Sequence, residues 1–174
     1  PAIPVLPENE TFPAVDEGGI GASIPGYPGD MELPSPDALF RDRRDDPGVA
    51  TGVGQVVSGV WLGEAARGEG APIPSQIADR LRLQEFKNFH GFRRAFWKAV
   101  AADEELRSQF TPIDLHLMRK GNAPYASADD RNGGRIKHEI HHLDEVAKGG
   151  RVYDMDNLVV MTPGRHIKFH GKGN

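Results

Sequence analysis

Apolar residues in the middle of the chain recur at helical spacing. Phe89, Phe92, Phe96 and Val100 fall three and four apart. That is the period of one helix face, so a helix is expected over 89–101 with its aromatics in the core. Upstream, Ser75 can cap a helix running to about Gln84, with Ile77, Ala78 and Leu81 on one side. Downstream, Asp103 can cap a short helix through Leu106. The stretch 48–63 is apolar and punctuated by glycine, which predicts a buried extended segment ending at the anchor Trp61. Residues 111–130 mix Leu115, Leu117, Met118 and Tyr125 with polar side chains and read as partly helical, then loop, on the surface. From Gly133 the period changes. Residues 135–142 alternate weakly and read as a strand, Gly149-Gly150 as a turn, and 157–161 as the returning strand. Thr162 as N-cap and Pro163 at the first helical position then open a final helix. The fold expected is α+β, a mostly helical body with a C-terminal strand–strand–helix unit.

Residues 1–40 hold no such period. Pro1, Pro4 and Pro7, then Pro25-Gly26-Tyr27-Pro28-Gly29, are turn formers. The segment reads as a disordered linker or as the frayed end of an upstream domain. Residues 42–46 read as a charged hinge.

Charge sharpens that division. The 174 residues carry a formal net charge of −4, which alone does not point to nucleic acid. Residues 1–46 hold ten acids and three bases, a net of −7, so the remainder is +3. All seven histidines lie in that remainder, five of them after residue 137. Lys137, Lys148, Arg151, Arg165, Lys168 and Lys172 gather around those five. There is no cysteine, which excludes disulfides and thiolate metal sites. Any ion must be held by His, Asp or Glu. No run of 18 apolar residues exists, so no membrane span is expected. No signal peptide is visible, and the chain opens on Pro1 without Met, as a fragment or processed product would.

The histidines carry the chemistry. His166 and His170 are spaced i, i+4 on the final helix, which puts both imidazoles on one face and suits two ligands on one metal. His141 and His142 are neighbours on a strand and point to opposite faces. They therefore suit different jobs, one ligand and one base. An ion held by neutral imidazoles with open positions for phosphate or water fits this set, and a closed structural site does not. His138-Glu139-Ile140-His141 is one residue short of His-Glu-x-x-His, which excludes a zincin. His138, His90 and His116 read as surface or packing residues.

Glu139-Ile140-His141-His142, then Gly149-Gly150, Val152-Tyr153-Asp154-Met155-Asp156-Asn157-Leu158 and Thr162-Pro163-Gly164-Arg165-His166-Ile167-Lys168-Phe169-His170 resemble the HNH (ββα-metal, His-Me finger) motif of nuclease bacteriocins. These are the DNase domains of colicin E-type and S-type pyocin toxins. The resemblance extends upstream through Asp46-Pro47-Gly48-Val49-Ala50-Thr51-Gly52, Trp61-Leu62, Gly70-Ala71-Pro72-Ile73-Pro74 and Phe86-Lys87-Asn88-Phe89. It covers about 44–172, so 44–174 is expected to be the cytotoxic nuclease domain. Residues 1–43 are then a Pro-rich acidic linker or the end of a translocation domain.

The resemblance implies one divalent metal ion, Mg, Zn or Ni, bound by His141, His166 and His170. It implies His142 as the general base that activates water, and Asn157 as a brace for the hairpin loop. Arg135 and Glu139 form a pair near the scissile phosphate, and Arg44 contacts phosphate. A hairpin salt bridge is the alternative for Arg135 and Glu139, and both can hold at once. The implied substrate is double-stranded DNA, read by backbone and groove shape rather than by sequence. The implied partner is a small acidic immunity protein bound within 113–130, at an exosite of Lys120, Asn122 and Tyr125. Tyr is a favoured interface anchor, and ordinary packing is the alternative for Tyr125. A secreted bacteriocin acting in the cytoplasm of a target bacterium is expected. Three other readings fit less well. A non-catalytic ββα module has no need of a base beside its ligands. An RNase bacteriocin lacks the His-His…His-x-x-x-His layout, and homing or restriction HNH enzymes lack the upstream match.

Overall fold

In the computed structural model, residues 41–170 are described, with side chains through Lys168. The expectations for 1–40, for the side chain of His170 and for Lys172 lie outside the described residues. The described residues all belong to one compact unit, Phe40–Asn174.

The chain enters through a 3-10 turn, Arg43–Asp45, whose N-cap Asp42 accepts the Arg44 N–H at 3.0 Å. This is the segment expected to be a hinge. Instead Arg43 donates to the carbonyl of Gly150 at 3.1 Å, and the Tyr153 hydroxyl donates to the carbonyl of Asp46 at 2.5 Å. Charge density made the segment look mobile, yet its arginine has carbonyls to bind across the fold. β1 (Gly48–Val49) follows. α1 (Gly63–Arg67), β2 (Ala71–Pro72) and α2 (Ser75–Leu81) precede β3 (Glu85–Phe86), which pairs antiparallel with β1.

The segment between β1 and α1 departs from expectation. Ala50 and Trp61 are buried, but Val53, Val56 and Val60 are 62%, 89% and 77% exposed. Backbone bonds hold this loop. The Asp156 carboxylate accepts from Gly54 N–H at 2.8 Å and from Val53 N–H. Gly52 turns the chain at φ +91°, where a Cβ would stand 2.7 Å from the Asp154 carboxylate. Glycine turned the chain before its valines could reach the core. α2 also begins differently. Pro74 occupies the N-cap and, having no side-chain acceptor, makes no cap bond, while Ser75 is the first helical residue and gives its N–H to the carbonyl of Gln55 at 2.8 Å. The helix stops at Leu81, and Leu83, at φ +68°, reverses the chain.

α3 (Phe89–Ala102) organises the core as its period requires. Asn88 caps it by accepting the Gly91 N–H at 2.9 Å. Phe89, Phe92, Phe96, Trp97, Val100 and Ala101 are buried. Phe92 meets Phe86 edge-on at 5.4 Å and Tyr153 at 6.2 Å, and Trp61 closes on Phe96 at 6.1 Å. Each such side chain is worth about 1.5–3 kcal/mol of burial. α4 (Glu104–Arg107) starts at the expected cap, since the Asp103 carboxylate accepts from Glu105 and Leu106 N–H. α5 (Pro112–Arg119) then gives way to loop.

β4 (Glu139–His142) is shorter than the alternation implied, because 135–138 contributes only isolated bridges. β5 (Leu158–Met161) is the central strand of a three-stranded sheet ordered β2-β5-β4, and all four of its residues are buried. The register pairs Ile140 with Val160, His141 with Val159 and His142 with Leu158. α6 (Pro163–His170) follows directly, with Thr162 Oγ1 accepting the Arg165 N–H at 3.3 Å. Arg165 Nε ties this helix to the carbonyl of Gly68 at 2.6 Å.

Candidate active site

β4 distributes its side chains by strand alternation. Glu139 and His141 face one way, Ile140 and His142 the other. The first face meets α6. The rings of His141 and His166 approach edge-on with centroids 4.9 Å apart. The Glu139 carboxylate binds His166 Nδ1 and receives a two-pronged fork from Arg135, with Nε donating at 2.8 Å and Nη2 at 2.5 Å. Burial pushes the Glu139 carboxyl up, but Arg135 and His166 outweigh it and hold the group below its ordinary value. It is therefore a carboxylate at neutral pH. Two converging imidazoles, one oriented by a carboxylate, form a donor set that suits a borderline divalent ion. Among the described residues no group of three or more His, Asp or Glu is placed to hold an ion. The side chain of His170, the third expected ligand, is outside that set.

The second face of β4 meets α3. His142 is 8% exposed and lies on the ring of Phe89, centroids 4.7 Å apart. Its Nε2–H donates to the carbonyl of Val152 at 3.0 Å. A carbonyl can only accept, so this bond selects the Nε2–H tautomer and leaves the lone pair on Nδ1. Burial pushes the His142 imidazole below its ordinary value, the Val152 carbonyl opposes this, and Arg44 adds to the lowering. The ring is thus neutral at pH 7. Arg44 and Asp42 both lie within electrostatic reach of it.

The connection between β4 and β5 is fastened by Asn157. Its Oδ1 accepts the Asp144 N–H at 2.7 Å, and its Nδ2 donates to the carbonyls of Arg151 at 2.9 Å and Asp144 at 3.2 Å. Gly150 permits the tight path, since a Cβ there would stand 1.9 Å from the carbonyl oxygen of Asp144.

These features lie in a domain whose family is identifiable. Residues 48–172 match the model of the colicin/pyocin-S2 DNase domain. The chain belongs to this DNase-domain family. It is 54% identical over 170 residues to pyocin-S1 of Pseudomonas aeruginosa, covering 98% of this chain and 27% of that protein. It is 50% identical over 124 residues to colicin-E8 of Escherichia coli, covering 71% of this chain and 60% of that protein. The chain thus spans about a quarter of the pyocin's length. Among solved structures, the pyocin AP41 DNase–immunity complex matches with TM-score 0.70 and 46% identity, over 73% of this chain and 99% of that one. The mutant nuclease domain of pyocin S8, solved with its cognate immunity protein, matches with TM-score 0.70 and 52% identity, over 71% and 99%. The mixed helix and sheet architecture is accordingly that of a pyocin DNase.

Within this DNase fold the residues singled out from the sequence fall into three places. Arg135, Glu139, His141 and His166 come together on one face of β4. His142 lies on the other, towards Arg44. Lys120, Asn122 and Tyr125 lie on an exposed stretch after α5, where Asn122 shares a cleft with Arg135 and Glu139 of the first group. Asn122 opens onto a cleft of about 390 Å³ shared with Arg93, Arg94 and Lys137, whereas Tyr125 opens onto a neighbouring depression with Asp114 and Asp130. The Tyr125 ring carries Lys137 at 5.7 Å and Arg131 at 5.9 Å, each in cation–π range. Sequence reasoning missed Phe89 as the support of His142, the Val152 carbonyl that sets its tautomer, and Asp42. Only Asp42 left a signal, as an acid two residues before an arginine at the head of a turn.

Proposed function

We propose that this chain carries the cytotoxic domain of an S-type pyocin or colicin-like bacteriocin, a metal-dependent and largely sequence-non-specific endonuclease of double-stranded DNA. On this reading 44–174 is the HNH nuclease domain and 1–43 the linker or end of the translocation domain. The observation that carries it is the separation of His141 from His142, one beside His166 and its carboxylate, the other neutral and oriented.

β4, β5 and α6 form the ββα-metal unit, with His141, His166 and His170 as ligands of one divalent ion, Mg, Zn or Ni. When bound, the ion supplies Lewis-acid polarisation of the phosphoryl oxygen and stabilises the leaving oxygen. His142 Nδ1 takes the proton from the attacking water, because Nε2–H is committed to Val152 and burial keeps the ring unprotonated. Arg135 is held by Glu139 through Nε and Nη2 beside His166, and the remaining Nη1 edge of its guanidinium is the side that can meet phosphate. Arg44 brings a second guanidinium from the opposite side of the hairpin. Asn157 keeps the β4–β5 connection rigid, so that His142 and Val152 stay in register.

A small acidic immunity protein is the proposed partner, at an exosite of Lys120, Asn122 and Tyr125 beside the active site. The cationic surroundings of Tyr125 support this, as do the two solved relatives, which are complexes with immunity proteins. The whole toxin would be secreted and act in the cytoplasm of the target cell. Supercoiled plasmid incubated with the chain and Mg²⁺ should be nicked and linearised, and EDTA should stop it. Plasmid left intact in the presence of Mg²⁺, Zn²⁺ and Ni²⁺ would overturn the reading.

A further inference from the structure

We infer that Asp42 sets the affinity of this domain for DNA by occupying the phosphate-binding fork of Arg44. The Asp42 carboxylate takes Arg44 Nε at 3.0 Å and Arg44 Nη2 at 2.7 Å, the two-pronged geometry a phosphate would use. It also accepts the Arg44 backbone N–H, so a single aspartate shapes the turn and fills the fork. The turn itself cannot drift away. Arg43 is anchored on the carbonyl of Gly150 and Tyr153 on that of Asp46. Arg41 is paired in turn with Asp46 at 2.6 Å. Each of the three arginines at the entrance of the domain is thus engaged internally, and the guanidinium within reach of His142 is engaged by a carboxylate. A DNA phosphate that takes the Nε–Nη2 edge of Arg44 must displace Asp42.

The pair is about half exposed on both sides. Exposed pairs are weak, so the carboxylate is displaceable, and its effect is on affinity rather than on whether DNA binds. The inference rests on the proposed phosphate role of Arg44. The test is a double-mutant cycle, with fluorescence anisotropy of a short labelled DNA duplex in EDTA at fixed low salt. Asp42→Asn keeps the cap, since asparagine caps as well as aspartate, but no longer holds Arg44 by charge. It should tighten duplex binding about two- to five-fold. In an Arg44→Ala background the same change should leave affinity unmoved. Equal tightening in both backgrounds would mean mere loss of a surface charge, and no tightening would mean no competition. Either result overturns the inference while leaving the role of Arg44 standing. Arg44→Ala binding as tightly as the unmodified chain would remove that role, and this inference with it.

Discussion

The two faces of β4 hold adjacent histidines in unlike surroundings. His141 looks towards α6, where His166, Glu139 and Arg135 form a chain of polar contacts. His142 looks towards α3, where Phe89 packs on its ring, and its Nε2–H donates to the carbonyl of Val152. A face rich in charged partners can share an ion. An apolar face with a single acceptor keeps an imidazole neutral and fixed in one tautomer. The same residue type is thus given two unlike environments by one residue of strand register.

The sharpest way to break the comparison is His142→Ala. Loss of a general base should lower plasmid cleavage by roughly 10²–10⁴-fold, while ion binding followed by calorimetry stays near that of the unmodified chain. Loss of ion binding together with cleavage would mean that the two faces do not act separately. Glu139→Gln tests the other side. It removes the carboxylate behind His166 and should weaken ion affinity by about 10–100-fold, with His142 untouched; an unchanged calorimetric affinity would deny Glu139 that supporting role.

The smallest effect is on stability. Burial holds His138 and His142 below the ordinary imidazole value. The unfolded chain therefore binds protons that the folded chain refuses, so stability is complete above about pH 6.5 and falls as the pH drops below it. Denaturant midpoints at pH 7.5 and 5.5 should show this loss, and His138→Gln should reduce it. Carboxylates such as Glu139 titrate lower, which leaves this window to the histidines. A midpoint that rises on acidification would contradict the burial argument.

How much of this was legible beforehand varies by region. The aromatic stripe of α3, the Asp103 cap, the Thr162-Pro163 helix start and the strand–strand–helix order could all be read, because each rests on spacing or on capping within a few residues. So could the opposite orientation of His141 and His142, which follows from strand alternation alone. The valine loop could not. Its apolar content promised burial, but backbone bonds from Val53 and Gly54 to Asp156, about a hundred residues away, decided its path. The turn at 42–46 misled in the opposite way, since charge implied a hinge while Gly150 and Tyr153 tied it down.

The sequence by itself determined the family, the α3 core and the residues available for chemistry. Those depend on residue type and local period. Tertiary structure decided which nitrogen of His142 carries the proton, which carboxylate backs His166, and where the turn at the domain entrance is fastened. Each of these is a contact between groups distant along the chain or on different elements, and local pattern does not encode such distances.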